Sequence, residues 1–455
     1  MIKPVALVLE NIIQDQLGHD IYGKWAALNA LAFICSFLLD LGIQQFYIRQ
    51  FQSAHRASAV DDIPYLNGLK YTTALLFPII VIIVALLLGY TGTDLWMMGG
   101  IGLFYSIMSL ILHVRMFFQT YHQLNMDSIS GTLDKALFIG LAILFILLEG
   151  TVLDFIGIKL LSVTMTFLFL AYWWNRQHIH SLYQTKGSIR KWKAIIQTTY
   201  PLALITILYS IHDKIDQIMV NKLIDDRASG LYAAAYRWLD AILMFLWVLM
   251  PLFYTRFCKK LEAKEDTTTI VMTGQLFTAM VMSWVMAFIL FFGEHFFILF
   301  KNSTPNEIVE MTAVFKVLSG MMLIQGIAAI YGAYIMALNG ERFLNKVSIG
   351  LILLNVVLNG LSIPYFGIIG AAWATVISGF TAIIYYIYFL QQKNQNVFTV
   401  KHIRQLITHV VLALSITYSL RLWNAPIEVT MGMLGICFLV VFWVSGIFKK
   451  LKEIA

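Results

Sequence analysis

The chain has 455 residues, 59% of them hydrophobic and 13% charged, with a mean hydropathy of +0.76 and a formal net charge of +7. A soluble globular chain carries about 25% charged residues, so these values exclude a soluble enzyme or binding module and point to an all-α polytopic membrane protein. The basic excess would suit nucleic acid, but the Lys and Arg residues lie between apolar runs. That is the pattern of membrane topology, and no nucleic-acid partner is expected.

A helix needs about 20 apolar residues to cross a bilayer core. Segments of that kind fall at 4–17, 25–48, 70–90, 95–118, 130–148, 152–174, 196–223, 231–257, 270–292, 311–337, 343–363, 367–390, 403–422 and 427–448. They predict about 14 transmembrane helices. The first is unusual. Pro4 to Leu17 spans roughly 21 Å as a helix, too little to cross, and it carries Glu10 and Asp15. Either residues upstream are missing from it or it is a half-span. Met1 to Pro4 lacks the layout of a cleavable signal.

With the N-terminus on the cytoplasmic side, Lys and Arg favour that side by roughly four to one, which places both termini there. The loops at 49–69 and 175–195 are the longest and are basic. Topology alone explains them, and contact with anionic headgroups is the second reading. Trp173 and Trp174, just before Arg176, read as an interfacial anchor. No loop on the opposite face is long enough for a catalytic domain. Cys35, Cys258 and Cys437 show no pairing or metal spacing and read as small apolar residues. No Gly-rich phosphate loop, metal motif or nucleophile triad appears. The expectation is a transporter with no cofactor, not an enzyme.

Residues 209–240 interrupt the apolar pattern. They carry His212, Asp213, Lys214, Asp216, Arg237 and Asp240 between apolar runs. Ionisable groups at membrane depth are costly and mark transport pathways more often than structure. If the chain turns near Asp226, Asp216 matches Arg237 in depth, and Asp213 matches Asp240 one turn deeper. Arg237 suits a phosphate or a sugar acid through its planar guanidinium; a structural ion pair with Asp240 or Asp216 is the alternative. Asp213, Asp216 and His212 share a helix face and suit coupling to H⁺ or Na⁺. Lys214 either joins Arg237 at the substrate or snorkels. Asp40 either lines the inner half of a cavity or caps a helix break at Gly42.

An internal repeat is visible. Gly23-Lys24-Trp25-Ala26-Ala27 returns as Gly230-Leu231-Tyr232-Ala233-Ala234, and Phe46-Tyr47-Ile48-Arg49 returns at the same offset as Phe253-Tyr254-Thr255-Arg256. The copies are an even number of helices apart, so they run in the same direction. This predicts two parallel-related six-helix bundles, with the substrate site at their interface and alternating access by rocking. The expected divisions are an N-terminal bundle at 1–174, a basic cytoplasmic linker at 175–195, a C-terminal bundle at 196–390, and two extra helices with a basic tail at 391–455. Gly23 and Gly230 are expected to serve turns before Ala-rich helix starts.

Leu17-Gly18-His19-Asp20-Ile21-Tyr22-Gly23, followed by Leu39-Asp40-Leu41-Gly42-Ile43 and Arg49, resembles the start of the polysaccharide-export (O-antigen) flippases. These belong to the multidrug/oligosaccharidyl-lipid/polysaccharide exporter superfamily. Asp216 with Gly230 to Arg237 resembles the family's helix 7–8 hairpin. Asn355 to Asn359, followed by Ile363-Pro364-Tyr365-Phe366-Gly367 and Gly370-Ala371-Ala372, resembles its helix 11–12 signature, the most specific of the three. The resemblance implies a two-bundle flippase of the bacterial cytoplasmic (inner) membrane. It would move an isoprenoid-diphosphate-linked oligosaccharide to the outer leaflet for lipopolysaccharide, capsule or exopolysaccharide synthesis, with the polysaccharide polymerase machinery as a candidate partner. On that reading Arg237, Lys214, Asp240 and Asp40 contact the substrate, and Asp213, Asp216 and His212 couple an ion. A cation-coupled multidrug exporter and a membrane-embedded glycan polymerase or ligase are the rival readings. The short first segment departs from the family, whose first span contributes to the cavity.

Overall fold

A computed structural model describes residues 2–51, 56–177, 184–393, 397, 399–424 and 426–449. Among these residues the regular structure is entirely helical. In chain order the helices are α1 (Ile2–Leu17), α2 (His19–Cys35), α3 (Phe37–Asp40), α4 (Ile43–Phe51), α5 (Arg56–Leu87), α6 (Thr93–Thr120), α7 (Leu124–Leu147) and α8 (Val152–Gln177). They continue as α9 (Ile189–Leu223), α10 (Asp226–Glu262), α11 (Thr268–Phe292), a 3-10 turn (Gly293–Phe297), α12 (Pro305–Ala337), α13 (Glu341–Gln392), α14 (Val400–Leu422) and α15 (Ile427–Val444). The chain is an all-α polytopic membrane protein.

Among the described residues, eleven stretches are long and apolar enough to cross a membrane, fewer than the segments expected from sequence. The difference lies in three places. The helix α1 has only 16 residues. The charged α9 is not among the eleven. And α13 counts once, although Gly367 (φ 58°, ψ −143°) breaks it where Pro364 and Gly367 predict a turn. A second break falls at Gly42, one of the two readings of Asp40. The predicted helix 25–48 ends a span at Asp40, because Leu41 (φ 50°) and Gly42 (φ 73°) leave helical geometry before α4 begins.

The chain forms two compact units, Met1–Gly230 with Leu299–Asn302, and Leu231–Ile298 with Ser303–Ala455. In the first, Tyr47, Leu66, Phe117, Phe118 and Trp174 build an aromatic core at the end that carries the basic loops. In the second, Phe257, Tyr331 and Tyr334 form one core, and Met280, Trp284 and Leu434 join α11, α14 and α15 in another. Lipid tails are as apolar as these side chains, so close packing and polar contacts hold such helices together.

The clearest close packing lies within the first unit, where α2 meets the start of α10. Gly23 lies inside α2 and Gly230 inside α10, not in turns as expected. A Cβ on Gly23 would overlap the Asp226 carbonyl oxygen and the Gly230 backbone nitrogen. One on Gly230 would overlap the His19 carbonyl. Only glycine lets the two backbones approach this closely. Polar contacts seal the crossing: Ser229 Oγ donates to the Gly23 carbonyl (2.9 Å), and Gln217 Nε2 donates to the Ser229 carbonyl (2.8 Å). Gln14 Nε2 donates to the Gly230 carbonyl (2.8 Å) from α1.

Candidate transport site

In the first unit, three contacts set α2–α3 beside α6 with both running the same way. Lys24 pairs with Asp94, Tyr105 donates to Asn29 Oδ1, and Ser109 lies against the Leu39 carbonyl. Polar groups are therefore stacked at three depths.

At the α2 start, Lys24 Nζ lies 3.3 Å from Asp94 and 3.1 Å from Asp226. Asn221 Nδ2 donates to Asp226 Oδ1 and its Oδ1 accepts from Tyr90, both at 2.7 Å. Burial raises the Tyr90 hydroxyl above its ordinary range, helped by the Asp226 and Asp94 carboxylates, so it remains a donor. Lys222 Nζ sits 3.3 Å from the centre of the Tyr90 ring, a cation–π contact.

At mid-depth stand the charges that sequence singled out on α9. Lys214 Nζ pairs with its neighbour Asp213 at 3.0 Å, and both side chains are half-buried. Both lie within electrostatic reach of the Tyr105 hydroxyl, as does Glu10 of α1. Glu10 itself pairs with Lys159 of α8 at 2.6 Å. The Lys159 ammonium is boxed by the rings of Trp25, Phe138 and Phe155, each about 5 Å away. The second α1 acid is also used: Asp15 accepts from the backbone N–H groups of Lys301 and Asn302, both at 3.0 Å. The acids of the short helix thus dock it within the first unit.

Deeper still, Asp40 ends α3 and pairs with Lys70 at 3.5 Å. Lys70 is 2% exposed. Its ammonium also donates to the Leu39 carbonyl (2.6 Å) and to Ser109 Oγ (2.9 Å). The helix break at Leu41 leaves nearby carbonyls short of donors, and Lys70 fills that gap with a positive charge at a negative helix end. Beside it, His113 Nε2 and Asn67 Oδ1 are 2.8 Å apart, and Asn67 Nδ2 donates to the Gln184 carbonyl.

Of the other expected site residues, His212 is half-buried and its Nδ1 has no hydrogen-bond partner. Asp216 is buried at 2% exposure in the first unit. Arg237 and Asp240 are half-buried on α10 and belong to the second unit. Sequence reasoning gave no role to Lys70 or Lys159. The available signal was local. Each is a single cation inside an apolar run, with Leu66 and Leu69 before Lys70 and Leu160 and Leu161 after Lys159.

Several solved transporters share this fold. A lipid II flippase, MurJ, in an inward closed conformation superposes with a TM-score of 0.78 at 12% identity, covering 98% of this chain and 97% of that one. An inward-facing multidrug resistance MATE family transporter of the MOP superfamily gives 0.71 at 15% identity, over 85% of this chain and 94% of that one. An outward-facing transporter of the same family gives 0.56 at 15% identity, over 86% and 92%. At these identities the likeness shows the fold alone. No curated protein sequence matches the chain. The model of the polysaccharide biosynthesis protein family matches residues 1–253, more than half of the sequence. The chain therefore belongs to the polysaccharide biosynthesis protein family.

Proposed function

We propose that the protein is a flippase that carries an isoprenoid-diphosphate-linked oligosaccharide from the cytoplasmic to the outer leaflet of a bacterial cytoplasmic membrane, for surface polysaccharide synthesis. The observation that carries this reading is the family match over residues 1–253. The fold shared with a lipid II flippase supports it, as do the charged and polar side chains stacked through the first unit. Both termini lie on the cytoplasmic side in this reading, by the distribution of Lys and Arg.

The sugar-diphosphate head is hydrophilic and the isoprenoid tail is not. A route lined by ionisable groups lets the head cross while the tail stays in lipid. Arg237 and Lys214 contact the diphosphate, with hydrogen bonds to oxyanions as the attraction. Asp240 and Asp40 take the sugar hydroxyls or orient the cations. Asp213, Asp216 and His212 bind the H⁺ or Na⁺ that resets the cycle. The bundles at 1–174 and 196–390 rock about the site, the linker 175–195 joins them, and the helices of 391–455 accompany the second. Reconstitution into liposomes tests this. An impermeant glycosidase outside reaches all of the lipid-linked oligosaccharide if the protein flips it, and only the outer-leaflet share if it does not. Arg237→Ala abolishes the extra access on this reading. Unchanged access in that variant removes Arg237 from the site.

A further inference from the structure

A cavity of about 550 Å³ lies between α5 and the end of α8, lined by Tyr71 of α5 and by Phe167, Leu168, Ala171, Tyr172, Asn175 and Arg176 of α8. None of these residues has a part in the proposed transport route. The volume lies in the ordinary range for small-molecule and lipid-sized sites, about 300 to 1,000 Å³.

The position of the cavity along α8 is informative. The span runs Val152–Arg176. Phe167, Leu168 and Ala171 fall within its apolar part. Tyr172 and Trp173 follow, and then Arg176, while Trp174, expected from sequence as part of an interfacial anchor, is buried against Phe117 in the core. An aromatic belt followed by a cation marks the depth where acyl chains give way to headgroups. The cavity therefore straddles that boundary, with an apolar floor on one side and hydrogen-bond donors on the other. Leu168 is 60% exposed and Tyr172 is 61% exposed, so the cavity opens outward, where a bilayer would lie. Arg176 Nη1 is 3.5 Å from the Tyr172 hydroxyl. Among the described residues no carboxylate pairs with Arg176. A guanidinium without an anion beside a tyrosine hydroxyl and an asparagine amide is a donor set for phosphate oxygens.

We propose that this cavity binds the phosphate-bearing headgroup of a membrane lipid. Arg176 and Tyr172 donate to the phosphate, and the first methylenes lie along Phe167, Leu168 and Ala171. Two lipids offer this chemistry, an anionic phospholipid and an isoprenyl phosphate.

Native mass spectrometry of the full-length protein in detergent tests the site. The probes are phosphatidylglycerol, an isoprenyl monophosphate and, as the phosphate-free control, diacylglycerol. The expected result is one tightly held phosphate lipid per chain, with affinity at least tenfold lower in Arg176→Ala. Leu168→Trp, which fills the floor, reduces it by a similar factor. Preference for phosphatidylglycerol assigns the site to bulk lipid, and preference for the isoprenyl phosphate assigns it to the carrier; both support the phosphate site. Diacylglycerol binding as well as the phosphate lipids overturns the proposal, and so does wild-type affinity in both variants. Each substituted side chain faces outward, so the melting temperatures of the variants should stay near that of the wild type.

Discussion

The two units keep their charge in different places. Inside the first, Asp40–Lys70, Glu10–Lys159 and Asp213–Lys214 are ion pairs within the helical bundle. In the second, ion pairs lie near helix ends: Lys260–Glu265 after α10, and Arg421–Glu294 between α14 and the 3-10 turn. Glu307 is buried at the start of α12, where it accepts from Thr304, and several other buried polar contacts are neutral. His402 lies 2.5 Å from Gln275, Thr278 donates to the Gly326 carbonyl, and Asn359 donates to Asn355. A neutral polar pair specifies packing cheaply, whereas a buried ion pair carries a desolvation cost that stability alone does not repay. On the proposed function, the ion pairs of the first unit take part in transport together with Arg237 and Asp240 on α10. The family match also covers the first unit and the start of the second.

The contrast is open to test by mutation. The largest effect is expected at Lys70. Replacing it with Met leaves Asp40 and the Leu39 carbonyl without their cation, at a cost of about 3 kcal/mol; a drop in melting temperature in detergent measures this. Adding Asp40→Asn should recover part of the loss, because the uncompensated charge is removed. Equal stability in Lys70→Met and the wild type would break the comparison. Next comes the repeat crossing. Gly23→Ala or Gly230→Ala puts a methyl into neighbouring backbone, an overpacking worth about 1–3 kcal/mol, read in the same melt.

The paired change Gln275→Leu with His402→Leu should lie closer to neutral. Removing both partners of a neutral buried bond costs much less than orphaning one, so each single variant should be less stable than the double. The smallest effect is at Asp266, outside the spans. Hydrogen bonds from Thr268 hold its carboxyl below the usual range. The folded value is depressed, so its contribution is present above the unfolded carboxylate pKa and lost as pH falls through the folded one. Asp266→Asn should therefore lower stability slightly near neutral pH and flatten the acid limb, with the two profiles converging at low pH.

Much of the fold was legible because the signals were local. Apolar runs placed most helices, and Pro364 with Gly367 marked the break in α13. The interruption at Leu41 was less visible, since leucine carries no sign of positive φ and only Gly42 hinted at it. The charges of α9 stood out against their apolar flanks, so Asp213 and Lys214 were found. Their local pairing was not foreseen, because the depth argument looked across to α10 instead. Lys70 was missed because its environment is made by Asp40 and Ser109, 30 and 39 positions away. The same holds for Glu10 and Lys159, 149 positions apart. Glu10 and Asp15 made the first helix look compromised; in the structure both acids have partners that dock it.

The central claim is that the ionic interior of the first unit serves the crossing of a lipid-linked head. The most direct measurement is the liposome accessibility assay on three proteins: the wild type, Asp213→Asn with Lys214→Met, and the neutral-pair variant of Gln275 and His402. The account predicts complete access with the wild type, access slowed at least tenfold with the charge pair removed, and a near wild-type rate with the neutral pair removed. Access limited to the outer leaflet with folded wild-type protein would contradict the account, as would equal rates in the wild type and the charge-pair variant.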